Sequence, residues 1–126
     1  MPLKRGNTYF DRGVNGHLWI ILAGPDNDGV VVVVSITTRR AKSDLTTICA
    51  AGDHPFIERA SVVAYSYAQE LVATEIECNI KTGVFQLRED CSDALLDRIA
   101  KGLIASNRAS LRVQNTFVRI TKEGTE

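Results

Sequence analysis

The chain predicts an α+β domain, mainly β: a small curled antiparallel sheet or barrel followed by a C-terminal amphipathic helix. Apolar, β-branched runs punctuated by turn residues fill its first two thirds. A stretch with helical spacing arrives late, and the connections between elements are short. With 126 residues, one domain over 1–126 is expected, with a barrel at about 6–90, a helix at about 92–106 and a basic tail at 107–126.

The segment "HLWIILAGPDNDGVVVVVSITT" reads as two strands, His17 to Ala23 and Val30 to Thr38, joined by a turn rich in Gly, Pro, Asp and Asn. Val30 to Val34 does not alternate, so the second strand is expected at the sheet centre, buried on both faces. Next comes the polar "RRAKSDL", then "TTICA", a third strand with Thr47 and Cys49 on one face and Thr46 and Ile48 on the other. In "AGDHPFIERAS", Gly52 permits a sharp turn and Pro55 pushes His54 towards extended backbone. Phe56 and Ile57 are expected to fold inward, leaving Asp53 and His54 at the rim. A strand from Ser61 to about Tyr67, running on to Ala73, is expected next, and then a weak hairpin through "EIECNIKTGVFQL" turning at Lys81, Thr82 and Gly83.

Leu95, Leu96, Ile99 and Leu103 recur at helical spacing, Ser92 is a natural N-cap, and Asp93 and Asp97 favour the positive end of the dipole. The spacing predicts a helix over 92–106, with Gly102 inside it costing about 1 kcal/mol relative to Ala and leaving room for close packing. "LRVQNTFVRITKEGTE" fits either a last strand at Thr116 to Thr121 or a helical continuation.

A net charge of zero excludes global attraction to nucleic acid or membrane, so any such attraction must be local. The longest apolar run is far shorter than the roughly 20 residues of a spanning helix. Cys49, Cys78 and Cys91 cannot all pair within the chain and lack metal-ribbon spacing, so reduced thiols in a cytoplasmic, non-membrane protein without a cofactor are expected. Six basic residues and no acidic one lie between Arg98 and Lys122, reading either as a solvated helix face or as a contact for RNA phosphate or an acidic partner.

"GNTYF" at 6–10, "LWIIL" at 18–22, "VVVSITT" at 32–38, "SVVAY" at 61–65 and "ALLDRIAKGL" at 94–103 stand in an order that resembles the PemK/MazF family of toxin endoribonucleases over roughly 4–106. The resemblance implies an SH3-like barrel with a C-terminal helix, a homodimer, RNA as substrate and an antitoxin protein as partner. Thr37 matches a position the family uses near its RNA site. His17 and Leu18 occupy the place of the family's Arg-Pro, and Ala64 and Ser66 the places of a later Arg and Asp. Those departures favour the alternative, a non-catalytic SH3-like barrel serving as a protein- or nucleic-acid-binding module.

Metal-independent RNA cleavage needs a base for the 2′-hydroxyl proton, an acid for the leaving 5′-oxygen and a donor or cation for the phosphate. His17 is the expected acid or base, with Thr37 beside it in the catalytic set. Arg12, Arg39, Arg40 and Lys42, on loops 11–17 and 38–45, are the expected phosphate contacts. His54 is expected at the groove border, and Tyr67 among the side chains able to stack on bases, whereas Trp19 and Tyr65 fit the core better. No metal site is expected, because adjacent Asp53 and His54 side chains point apart in an extended segment.

Overall fold

The computed structural model describes residues 2–13 and 16–123. Val14 and Asn15, within the expected 11–17 loop, and residues 124–126 of the expected basic tail lie outside the described residues. The described chain runs β1 (Thr8–Asp11), β2 (His17–Ala23), β3 (Val30–Thr38), β4 (Ile48–Cys49), β5 (Ser61–Val63), a 3-10 turn (Tyr65–Tyr67), β6 (Gln69–Val72), α1 (Ala73–Lys81), β7 (Phe85–Arg88), α2 (Asp93–Ala105) and α3 (Leu111–Glu123). The fold is α+β, mainly β, built on one curled seven-stranded antiparallel sheet in the order β4-β5-β3-β2-β1-β7. β6 joins off this path, on β3.

The valine run of β3 is central for the reason its composition suggests. Leu18, Ile20, Val32, Val34 and Ile36 face α2 and α3, while Ile21, Val31 and Val33 face α1 across a second cluster that includes Tyr9 and Ile76. Both faces are covered, so alternation has no solvent side to report. Fully burying each such side chain is worth roughly 1.5–3 kcal/mol, which makes this strand the anchor of the domain.

The strand expected from Ser61 onward is interrupted. β5 pairs with the end of β3, from Ile36 to Thr38, and β6 with its beginning, from Val30 to Val33. Between them the chain makes its 3-10 turn and drives Tyr65 into the core, where its hydroxyl donates to Ile99 O at 2.8 Å and meets Thr47 Oγ1 at 2.6 Å. The expected hairpin through 75–87 is also corrected, since its first arm is helix α1 and only its second arm is a strand, β7. Ile76, Cys78 and Ile80 alternate as a strand would, but Ala73, Ile76 and Ile80 also share a helical face. The second apolar cluster on the sheet selects the latter.

Helix α2 starts as expected, with Ser92 Oγ accepting the Leu95 N–H at 3.2 Å, and buries Leu95, Leu96, Ile99 and Leu103. Gly102 is required there, because a Cβ would collide with Tyr65 Oη and Thr47 Oγ1. The tail resolves as helix: α3 buries Val113, Phe117 and Ile120, and Gln114 Nε2 donates to Leu103 O at 2.9 Å and Ser106 O at 3.1 Å, satisfying carbonyls at the end of α2. Among the described residues no helix is long and apolar enough to cross a membrane.

Candidate functional site

A groove of about 430 Å³ opens where the ends of β2 and β3 meet the 55–61 segment and β7. Its lining includes His17, Thr37, Thr38, Arg40, Phe56, Glu58, Arg59 and Arg88. Strand register places the first two. Leu18 pairs with Ile36, so one further step of the same antiparallel ladder sets His17 beside Thr37 on one face. Both side chains are partly exposed.

Arg40 follows β3 directly, in a turn where Ser43 Oγ accepts its N–H at 2.8 Å. Opposite it, Ser61 Oγ donates to Arg59 O at 2.9 Å and holds that end of the loop. Arg40 and Arg59 are exposed, and neither guanidinium has an ion-pair partner among the described residues. Arg88 differs: its Nε lies 3.1 Å from Glu89 Oε1, and its Cζ sits over the Phe56 ring, 5.2 Å from the centroid. Three arginines against Glu58 in the lining and Glu89 at Arg88 leave a small positive excess at this concavity of a neutral protein.

His54 is not at the rim, which corrects that expectation. It is only 2% exposed. Its Nδ1 accepts the Phe56 N–H at 3.0 Å, so the ring proton resides on Nε2 and is donated to Glu89 O at 2.6 Å. The same carbonyl also accepts from Thr8 Oγ1 at 2.7 Å. Both ring nitrogens are therefore committed to holding the groove wall, and the imidazole has no surface to offer RNA. Pro55, Phe56 and Ile57 line the groove, with Ile57 buried as expected of the plug.

The remaining expected contacts lie apart from the groove lining. Arg12 is exposed after β1, Arg39 and Lys42 are exposed in the loop after β3, and Tyr67 is 69% exposed on the 3-10 turn. Trp19 packs against the second cluster and Tyr65 is fully buried, where burial pushes its phenol up to about 12. Arg59 and Arg88, together with Glu58 and Phe56, were not singled out as site residues from the sequence. Neither arginine stands in a recognisable motif; only the closure of the sheet carries β7 and the 55–61 segment to the same opening as β2 and β3.

The basic stretch from Arg98 to Lys122 is largely consumed by the fold. Arg98 pairs with Asp53 at 3.3 Å, Arg112 with Glu70 at 2.8 Å and Arg119 with Asp26 at 3.0 Å, while Arg108 donates to Lys42 O at 2.8 Å. These contacts tie α2, α3 and the connection between them to β6 and to loops of the sheet.

Cys49 and Cys91 are buried, and loss of solvation pushes their thiols up to about 11 and about 12, far from the range of a nucleophile. Among the described residues no group of three or more His, Cys, Asp or Glu converges to hold a metal ion. No protein-family model matches the chain, and no curated protein matches its sequence.

Proposed function

We propose that the protein is a PemK/MazF-like toxin, or a relative of one, that binds single-stranded RNA in the groove between β2, β3, the 55–61 segment and β7. The observation that carries this reading is the meeting of His17 and Thr37 with Arg40, Arg59 and Arg88 in one concavity of an otherwise neutral molecule. Arginines supply the phosphate contacts on which RNA affinity rests. His17 and Glu58 are the proton-transfer groups of the groove. In cleavage, Glu58 takes the 2′-hydroxyl proton as O2′ attacks phosphorus, and His17 returns a proton to O5′ as the P–O5′ bond breaks. The products are a 2′,3′-cyclic phosphate and a free 5′-hydroxyl, with Thr37 and the arginines facing the phosphate charge that develops. By the resemblance, the protein works in the cytoplasm as a homodimer and is held in check by an antitoxin protein.

A second reading, a non-catalytic RNA- or protein-binding module, is favoured by Ala64 and Ser66. They replace the family's Arg and Asp, and neither lines the groove. One experiment separates the two. Incubated with a panel of single-stranded RNAs in EDTA, the wild type should yield cyclic-phosphate ends, and His17→Ala should cut about a hundredfold more slowly with unchanged thermal unfolding. RNA binding without cleavage at high protein concentration selects the module. Absence of any RNA binding removes the RNA reading altogether.

A further inference from the structure

We infer that Arg88, laid over Phe56, is a stacking platform for one unpaired nucleobase, and that Arg40 and Arg59 hold the phosphates beside it. This rests on the RNA reading of the groove and assigns its arginines two different tasks.

The difference is visible in their surroundings. Arg88 is fixed from two directions, by the Phe56 ring 5.2 Å beneath its Cζ and by Glu89 Oε1 at 3.1 Å from its Nε. Phe56 is itself immobilised: its N–H is bonded to His54 Nδ1 at 3.0 Å, and its ring packs on Phe10 at 5.2 Å between centroids. Phe10, Phe56 and Arg88 thus form a braced row, of which Phe56 and Arg88 border the groove. An arginine held over an aromatic ring and engaged at its Nε by a carboxylate presents a fixed guanidinium surface to the groove it borders. The partner that such a surface suits is another flat π system, and nucleobases stack on guanidinium planes in this way.

Arg40 and Arg59 have the opposite character. They are exposed, without an ion-pair partner among the described residues, so the full donor fork of each is available to a phosphate. One platform and two phosphate forks in a single concavity match one nucleotide unit with its neighbouring backbone. A duplex hides its base faces, so the platform selects single strands.

Binding can be followed by fluorescence anisotropy with a labelled 2′-O-methyl oligoribonucleotide, which lacks the nucleophile and is not cut. A ribose-phosphate oligomer of the same length without bases, and inorganic polyphosphate, serve as comparisons. The wild type should bind the base-bearing strand about tenfold more tightly than the abasic one, in line with the usual worth of one stacked base. Arg88→Lys keeps the charge and removes the plane; it should abolish that ratio while leaving polyphosphate affinity within about twofold. Phe56→Leu should reduce the ratio in the same way, whereas Arg40→Ala and Arg59→Ala should weaken all three ligands alike. Equal wild-type affinity for the base-bearing and abasic strands, or an unchanged ratio in Arg88→Lys or Phe56→Leu, overturns the platform and leaves RNA binding intact. No binding of any of the three overturns both.

Discussion

His54 shows how a single residue can brace the wall of a groove without lining it. Its ring spans the wall from the Phe56 N–H to the Glu89 carbonyl, and it is buried with both nitrogens engaged. Replacing it with Ala strands the Phe56 N–H, leaves Glu89 O with only its bond from Thr8 Oγ1 and opens a void, so His54→Ala should lower the unfolding free energy by about 1–3 kcal/mol. Arg40→Ala, at an exposed position, should stay within about 0.5 kcal/mol of the wild type while weakening the proposed RNA binding. Urea denaturation of the two variants side by side measures this, and a His54→Ala midpoint equal to that of the wild type would contradict the structural role. The sequence shows Asp53 and His54 adjacent beside Pro55 and so invites a reading of both as surface groups. Only the position of Glu89 O, 35 residues further along, shows where the ring goes.

At the scale of the element, the contact between α2 and the 3-10 turn leaves no room for a methyl group at Gly102. Helix propensity alone favours Gly102→Ala by about 1 kcal/mol. Against this, the added methyl meets Tyr65 Oη and Thr47 Oγ1, which are held by each other and by Ile99 O. Overpacking of that kind costs about 1–3 kcal/mol and should win, so Gly102→Ala is expected to be destabilised. Tyr65→Phe removes the nearest atom, and combining it with Gly102→Ala should recover part of the loss in a double-mutant cycle read by thermal unfolding. Strictly additive effects would show that the two sites do not press on one another. The sequence shows a glycine inside a helix and so leaves room for close packing, whereas only the structure shows that Tyr65 and Thr47 fill it.

Over the whole molecule, the buried Asp44 carboxylate joins parts of the chain far apart in sequence and couples the fold to acid pH. Burial alone would raise the Asp44 carboxyl, but hydrogen bonds from Thr46 and Ser106, with Arg108 nearby, outweigh it and hold the group below its ordinary value. Ser106 Oγ donates to it at 2.7 Å, so this carboxylate ties the loop after β3 to the end of α2. A folded-state value below the unfolded one means that the stabilisation is complete above the ordinary carboxyl range, near 3.9, and is lost as pH falls through the depressed folded value. Denaturant melts between pH 6 and pH 3 should therefore show a smaller loss of stability for Asp44→Asn than for the wild type. Parallel slopes would remove Asp44 from the acid response.

The sequence by itself determined the α+β class, the β2–β3 hairpin with both its ends, the centrality of the valine strand and the start of α2. Each of these follows from local signals: β-branching, turn residues, helical spacing and a serine cap. It also named His17, Thr37 and Arg40, three residues that the fold brings to one groove. Only the tertiary structure decided that Ile76 and Ile80 belong to a helix, that Phe117 and Ile120 do as well, and that His54 is sealed inside. In each of these stretches two periodicities or two exposures fit the same residues, and the choice falls to whichever places their apolar faces against the sheet. Arg59 and Arg88 reach the groove for a related reason: an antiparallel sheet that curls brings together segments far apart in the chain, and no local pattern of residues records that meeting.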